Sequence, residues 1–269
     1  MNCCVCGAGP DNASIHIKTP GFRLVRCRDC GMVYRPESPV SETDPYGKEY
    51  FTDRNEYLGR RDEFHAAFEE LVGKIRRRKG GGHLLDVGTG IGTLMEVASE
   101  KGFRVSGVEY SPWASNFART EKGLNVFTGT LEEAGFPGET FDVVVLNHVL
   151  EHLDQPRGTL REVRRILKRD GVLVVGVPNI ESIMARLLGA GWYSIKPGEH
   201  IWHFSPATLS RLVREAGFEV IEKESRENNL PSGWFAKKYL QMAINAVAVL
   251  TNRSEAMLLF ARIDPRSDA

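Results

Sequence analysis

The chain has 269 residues, enough for one large domain or two unequal ones. Hydrophobic residues make up 42% and charged residues 26%, the balance of a folded globular protein, which excludes a collagen, a wholly disordered chain and a polytopic membrane protein. Lys+Arg and Asp+Glu both number 35, so the formal net charge is zero and the basic excess of a dedicated nucleic-acid binder is missing.

All five cysteines fall in the first 30 residues: Cys3, Cys4, Cys6, Cys27 and Cys30. The opening Met1-Asn2-Cys3 lacks the basic and apolar regions of a signal peptide, so a reducing, cytoplasmic setting is expected. Cys3-x-x-Cys6 and Cys27-x-x-Cys30 are separated by 20 residues, and each second cysteine is followed by glycine (Gly7, Gly31). That spacing is the pattern of a zinc ribbon. Two thiolates two residues apart converge on one ion, glycine turns the knuckle, and four thiolates close a tetrahedron with a structural role. Iron fits the same donor set. Cys4 is out of register with the other four, and His16 is expected at the surface.

Residues 1–40 read as the ribbon, with short strands around Ile15–Lys18 and Arg23–Arg26, then Met32-Val33-Tyr34 and a proline-punctuated exit. Residues 41–58 are polar with interspersed aromatics: Tyr46, Tyr50, Phe51 and Tyr57. Phe64, Phe68, Leu71 and Ile75 recur at helical spacing and predict an amphipathic helix over about 59–78, closed by a basic run and Gly80-Gly81-Gly82. Residues 41–80 thus read as a linker and helical cap. From 83 onward, apolar runs at His83–Val87, Arg104–Val108, Asn125–Phe127, Phe141–Leu146 and Val172–Val177 alternate with helical segments near 92–101, 112–122 and 156–168. Such alternation implies a parallel sheet with helices on both faces. A helix over 206–216, a strand over Phe218–Lys223 and an antiparallel final strand over Ala256–Ala261 complete the expected order. The apolar stretch within 234–250 is too short and too polar to span a bilayer; a packed helix or substrate cap is expected there, with weak interfacial contact as the other reading.

The sharpest signal is Leu84-Leu85-Asp86-Val87-Gly88-Thr89-Gly90-Ile91-Gly92, a strand running into a glycine-rich turn that opens a helix. Glycines let backbone approach a ligand closely, and the helix N-terminus offers unpaired amides. A dinucleotide fingerprint would need glycine at 93, where Thr93 stands, and no Gly-Lys-Ser/Thr follows to make a P-loop.

This nonapeptide resembles the first motif of class I S-adenosylmethionine-dependent methyltransferases, and the resemblance runs from about 83 to 223. Val105–Glu109 looks like the second strand of that family, and Phe141–Leu153 like the fourth strand and its turn. Arg165–Leu173 looks like the junction into the fifth strand. The two-pair ribbon followed by Tyr46…Tyr50-Phe51 resembles bacterial methyltransferases with an N-terminal zinc-binding domain, several of which act on sugars or nucleotide-sugars. The resemblance implies an α/β, Rossmann-like, mostly parallel seven-stranded sheet with helices on both faces, plus the small ribbon. It divides the chain into 1–40, 41–80 and 81–269, with substrate-binding insertions near 180–204 and 224–252. It implies S-adenosylmethionine as cofactor: Asp86, Gly88 and Gly90 shaping its loop, Glu109 binding ribose, Thr130 and Leu131 flanking adenine, Asn147 beside the methionine portion, and Tyr50 closing over it. Many relatives carry Asp at the position of Thr130.

Methyl transfer from a sulfonium needs alignment and exclusion of water, and a hydroxyl or carbon nucleophile often needs a base. His200, with Glu199 beside it as orienting carboxylate, is the expected base in the segment Trp192–Ser205, set against a purely structural role. His148 is the rival base, set against a cofactor-lining role. Glu151 and His152 are expected to be structural, His203 to pack near a helix start, Trp113 to pack, and His65 and His83 to lie on the surface or in loops. Tyr193 is a candidate substrate contact. The resulting expectation is a methyltransferase acting on a small molecule, a sugar or nucleotide-sugar, at carbon or oxygen. The alternatives are an RNA or protein methyltransferase using the ribbon for docking, and a non-catalytic cofactor-binding assembly module.

Overall fold

A computed structural model describes residues 1–37, 46–54, 58–226, 248, 251 and 253–267 of the chain. The apolar run considered at 234–250, and with it most of the insertion near 224–252, lies outside the described residues.

The first strands are β1 (Ala13–Lys18), β2 (Arg23–Cys27) and β3 (Val33–Tyr34), paired antiparallel in that order. The helix over Arg61–Arg78, α1, buries Leu71, Val72 and Ile75 against the sheet that follows. It carries Asp62 and Glu63 in its first turn and three arginines in its last, the arrangement that suits a helix dipole.

The main sheet has seven strands. In chain order they are β4 (Gly82–Val87), β5 (Phe103–Glu109), β6 (Val126–Thr128), β7 (Phe141–Asn147), β8 (Leu167–Pro178), β10 (Phe218–Arg226) and β11 (Ala256–Ile263). Their spatial order is β10-β11-β8-β7-β4-β5-β6. The pairs β4–β5, β4–β7, β5–β6 and β7–β8 are parallel, whereas β11 inserts antiparallel between β8 and β10. The central strands read as unbroken apolar runs, Val143–Leu146 and Val172–Val175, because helices cover both faces. Those helices include α2 (Thr93–Glu100), α3 (Pro112–Lys122), α4 (Pro156–Ile166) and α6 (Pro206–Glu215). A capping box between Ser205 and Thr208 starts α6. A short helix, α5 (Ile183–Leu188), follows β8.

Two features depart from the sequence reading. His83, expected in a loop or at the surface, stands in β4 with Nε2 2.9 Å from the Ser106 hydroxyl and its ring against Phe141. His203, expected to pack at a helix start, lies in a two-residue strand, β9 (Trp202–His203), which pairs with β3. The ribbon sheet is therefore four-stranded, β1-β2-β3-β9, and its fourth strand comes from the far end of the chain. A two-residue strand carries no periodicity, so no local pattern announces it.

No described helix is long and apolar enough to cross a membrane.

Candidate active site

The glycine turn after β4 has the geometry its composition requires. Gly88 and Gly90 sit at φ +72° and +55°, in the left-handed region. A Cβ on Gly88 would stand 2.5 Å from Val149 Cγ2, so glycine is also what lets the turn after β7 approach. A Cβ on Gly90 would lie 3.5 Å from the Phe51 ring. Phe51 stacks on Trp113, which stacks on Phe117, and Tyr50 meets Tyr46 and Phe51 edge to face. The segment 46–54 thus roofs the loop.

Glu109, at the end of β5, accepts the Gly90 amide at Oε2 (2.7 Å) and the Ser111 amide at Oε1 (2.8 Å). Ser111 caps α3 through the Ala114 amide and donates its hydroxyl to the Tyr46 carbonyl (2.6 Å). One carboxylate therefore joins the loop, the helix start and, through Ser111, the roof. Asp86 is 4% exposed, and burial pushes its carboxyl up to about 7, with the charge of Glu109 adding to the effect. Leu131 is buried. Thr130 is exposed, and both its amide and its hydroxyl are engaged with Glu133.

Beyond β7, Asn147 projects Oδ1 to 2.5 Å from where a Cβ of Gly176 would be, so the bare backbone of β8 makes room for it. His148 follows at φ +58°, a conformation costly for a side chain bearing Cβ and concentrated at functional turns. Its amide still bonds the Gly176 carbonyl, so the sheet ladder holds the strained residue in place. His148 Nδ1 lies 3.2 Å from Glu151 Oε1. Burial raises the Glu151 carboxyl, but the hydrogen bond and charge of His148 outweigh it and leave the group below its ordinary range. A carboxylate only accepts, so His148 Nδ1 is the donor in this hydrogen bond and Nε2 is turned away from Glu151.

His200 is placed differently from the sequence reading. It is 5% exposed, and its Nδ1 donates to the Ser194 carbonyl (2.9 Å), not to Glu199. The Glu199 carboxylate pairs instead with Lys196 (3.3 Å). Burial, then the neighbouring histidines, hold His200 well below the ordinary imidazole range. His200 nevertheless reaches the same neighbourhood as His148: its ring meets His152 edge on at 4.6 Å, and the amides of Ile201 and Trp202 donate to the Glu151 carbonyl. Glu151, expected to be merely structural, is the residue that joins the two histidine segments. Its i,i+3 spacing from His148 was the available signal. Tyr193, the candidate substrate contact, is exposed.

The four ribbon cysteines converge. Cys3 and Cys30 sulfurs are 3.4 Å apart, those of Cys6 and Cys27 3.5 Å, and all four lie within 4.8 Å of one another. The knuckles match: Gly7 and Gly31 stand at φ +76° and +78° and donate their amides to Cys3 and Cys27. Cys4 is not in the cluster, as its register implied.

A methyltransferase-domain family model matches residues 57–223. The chain belongs to that family. The methyltransferase is 29% identical over 182 residues to the ubiquinone biosynthesis O-methyltransferase of Cereibacter sphaeroides, covering 64% of this chain and 74% of that protein. It is 33% identical over 144 residues to the mitochondrial ubiquinone biosynthesis O-methyltransferase of Schizosaccharomyces pombe, covering half of each. In fold it is similar to a SAM-dependent methyltransferase from Archaeoglobus fulgidus, at a TM-score of 0.55 and 22% identity, covering 77% of this chain and 99% of that one. A similar likeness, at a TM-score of 0.62 and 20% identity, is to a chain in a complex between the Haloferax volcanii Trm112 methyltransferase activator and a putative methyltransferase, covering 83% and 100%. The protein is thus an S-adenosylmethionine-dependent methyltransferase of Rossmann-like fold. The expected sugar-enzyme resemblance has no counterpart among the curated relatives named here, which are O-methyltransferases.

Proposed function

We propose that the methyltransferase transfers its methyl group to a hydroxyl oxygen of a small molecule, with His148 as general base and Glu151 as its positioning carboxylate. The observation that carries this reading is the His148–Glu151 pair at the carboxyl end of β7, in contact with the glycine loop through Val149 and Gly88. The named activity of the relatives supports oxygen over carbon as the acceptor atom.

The cofactor suits the loop: the left-handed turn at Gly88 and Gly90 brings bare backbone beside the Glu109 carboxylate, under the aromatic roof. S-adenosylmethionine, when bound, supplies an electrophilic methyl on a sulfonium that leaves as a neutral thioether. In this reading Asp86, Gly88 and Gly90 shape the cradle, Glu109 faces ribose, Leu131 and Thr130 border adenine, Asn147 borders the methionine portion, and Tyr50 helps to exclude water. Thr130, already engaged with Glu133, contributes shape rather than an added side-chain acceptor. His148 Nε2 takes the hydroxyl proton as the oxygen forms its bond to the methyl. Glu151 stabilises the imidazolium that results. His200, buried and held by Ser194, positions the segment and does not act as base.

The four cysteines support a structural Zn2+ in the ribbon, for thiolates at tetrahedral spacing satisfy its preference. A small-molecule acceptor fits the neutral chain better than a nucleic acid does.

The test is turnover of S-adenosylmethionine to its demethylated product with phenols and, separately, nucleotide-sugars as acceptors. O-methylated phenol supports the reading; C-methylated sugar alone overturns it. Cofactor binding without turnover across both classes moves the assembly-module alternative forward.

A further inference from the structure

We propose that Glu151, His152 and His200 form a second metal site that takes one divalent first-row cation, separate from the ribbon cysteines. One carboxylate oxygen and one ring nitrogen from each histidine lie within 4.8 Å of one another. Ligands sharing a tetrahedral ion at ~2.1 Å sit about 3.4 Å apart, so closure needs contraction of an ångström or so, within side-chain torsional reach.

Two features separate this cluster from a chance grouping. The first is the tautomers. His200 Nδ1 faces the Ser194 carbonyl at 2.9 Å, and His152 Nδ1 faces the Glu199 carbonyl at 3.1 Å. A carbonyl only accepts, so Nδ1 is the donor in both rings, on His152 with the Tyr46 hydroxyl (3.0 Å) as a further neighbour, and Nε2 is the nitrogen left to coordinate. A second ring nitrogen donating to a backbone carbonyl is the way metal-bound histidines are held.

The second feature is independent of the rings. Glu151 is 1% exposed, and its Oε2 has no hydrogen-bond partner, although Oε1 meets His148. An unsatisfied oxygen on a buried carboxylate is costly, and a cation is the partner that answers it. Two imidazoles and one carboxylate suit zinc, manganese, iron or cobalt rather than magnesium or calcium. Three protein ligands leave an open position, as in catalytic rather than structural sites. His148, on the same Glu151 carboxylate, neighbours the site. An acceptor oxygen bound there would lose its proton more readily. This use of the site rests on the methyl-transfer reading above; the binding of the ion does not.

The experiment uses full-length protein dialysed against a mild chelator, which retains the closed cysteine site. Co2+ is then titrated by calorimetry and optical absorption, with total metal counted by mass spectrometry. The expected result is one further equivalent, showing ligand-field bands without the intense thiolate charge-transfer band of the ribbon. Glu151→Gln and His152→Gln should each weaken that equivalent at least tenfold while leaving the ribbon metal and S-adenosylmethionine binding intact. If Glu151→Gln fails to fold, by far-ultraviolet circular dichroism, His200→Ala decides by the same readouts. No further equivalent in the wild type, a thiolate band accompanying it, or unchanged affinity in the variants overturns the site. A bound ion with no turnover of any acceptor would leave the site standing and count against the methyl-transfer reading alone.

Discussion

The Tyr34 ring of the ribbon packs on the Trp202 indole of the segment 192–205, with centroids 5.5 Å apart. Around this contact the backbones join: β3 pairs with β9, the Arg35 amide donates to the Ile201 carbonyl, and the Trp202 indole N–H donates to the Leu153 carbonyl (2.7 Å). The segment that carries His200 is thus held on one side by the ribbon and on the other by the turn that carries His148, Glu151 and His152.

Removal of a metal held by the ribbon cysteines should therefore reach the turn that carries His148 and Glu151. Cys27→Ser is expected to lose the thiolate-bound metal, lower the melting temperature and cut methyl transfer more than tenfold. S-adenosylmethionine affinity should change less than threefold, since Gly88, Gly90 and Glu109 stand on other elements. Metal counting, thermal unfolding and cofactor calorimetry check this together.

The Trp202→Phe variant keeps most of the ring contact and removes one donor. It leaves the Leu153 carbonyl without that partner, which costs about 1–3 kcal/mol. Denaturant unfolding should show the loss. A cost near zero would mean that the joint bears no load at this point.

The base assignment separates cleanly by kinetics. His148→Gln should lower kcat by about 10²–10⁴ with cofactor affinity within a few-fold. Glu151→Gln should lower kcat as well, because it weakens the hold on Nδ1. If His148→Gln retains full turnover, the base lies elsewhere.

Asp86 gives a pH signature. Its carboxyl is raised to about 7 in the folded chain, above the ordinary value near 3.8, so the folded state binds a proton that the unfolded state releases between those limits. The stability contributed by this group is full below pH 3.8 and declines as pH rises through about 7. His83 and His203, each lowered to about 4 chiefly by burial, slope the other way, losing stability as pH falls below 6.5. The wild-type curve alone mixes these. The difference between Asp86→Asn and wild type isolates Asp86, and it should move in favour of the variant by a few kcal/mol, to order of magnitude, from pH 4 to pH 8 in the cofactor-free protein.

Gly88→Ala should nearly abolish cofactor binding. The new methyl would enter the space of Val149 Cγ2, and φ +72° is strained for alanine. Calorimetry with S-adenosylmethionine checks it. Unchanged affinity would mean that the loop and the β7 turn relax apart at no cost to the site.

The chain's local patterns carried much of this protein. The parallel strands at Leu84–Val87 and Val143–Leu146 announce themselves as apolar runs because both sheet faces are covered, and doubled Cys-x-x-Cys-Gly spacing is itself a geometric statement about a knuckle. The left-handed glycine turn and the acid at the end of β5 were equally legible as geometry, since positive φ at Gly88 and Gly90 favours glycine and Glu109 closes a short strand pattern. What depended on distance in sequence was not. That Glu151 joins His148 to the 200–204 segment and that Trp202–His203 completes the ribbon sheet are decided by packing between residues about 50 to 170 positions apart. That His200 turns its Nδ1 to Ser194, six residues back, rather than to Glu199 follows from how that segment is buried. Periodicity and spacing report on the elements a chain makes and on ligands close in sequence. Which tautomer, which partner and which strand edge a buried side chain meets is settled only when those elements pack and each buried donor and acceptor must find its match.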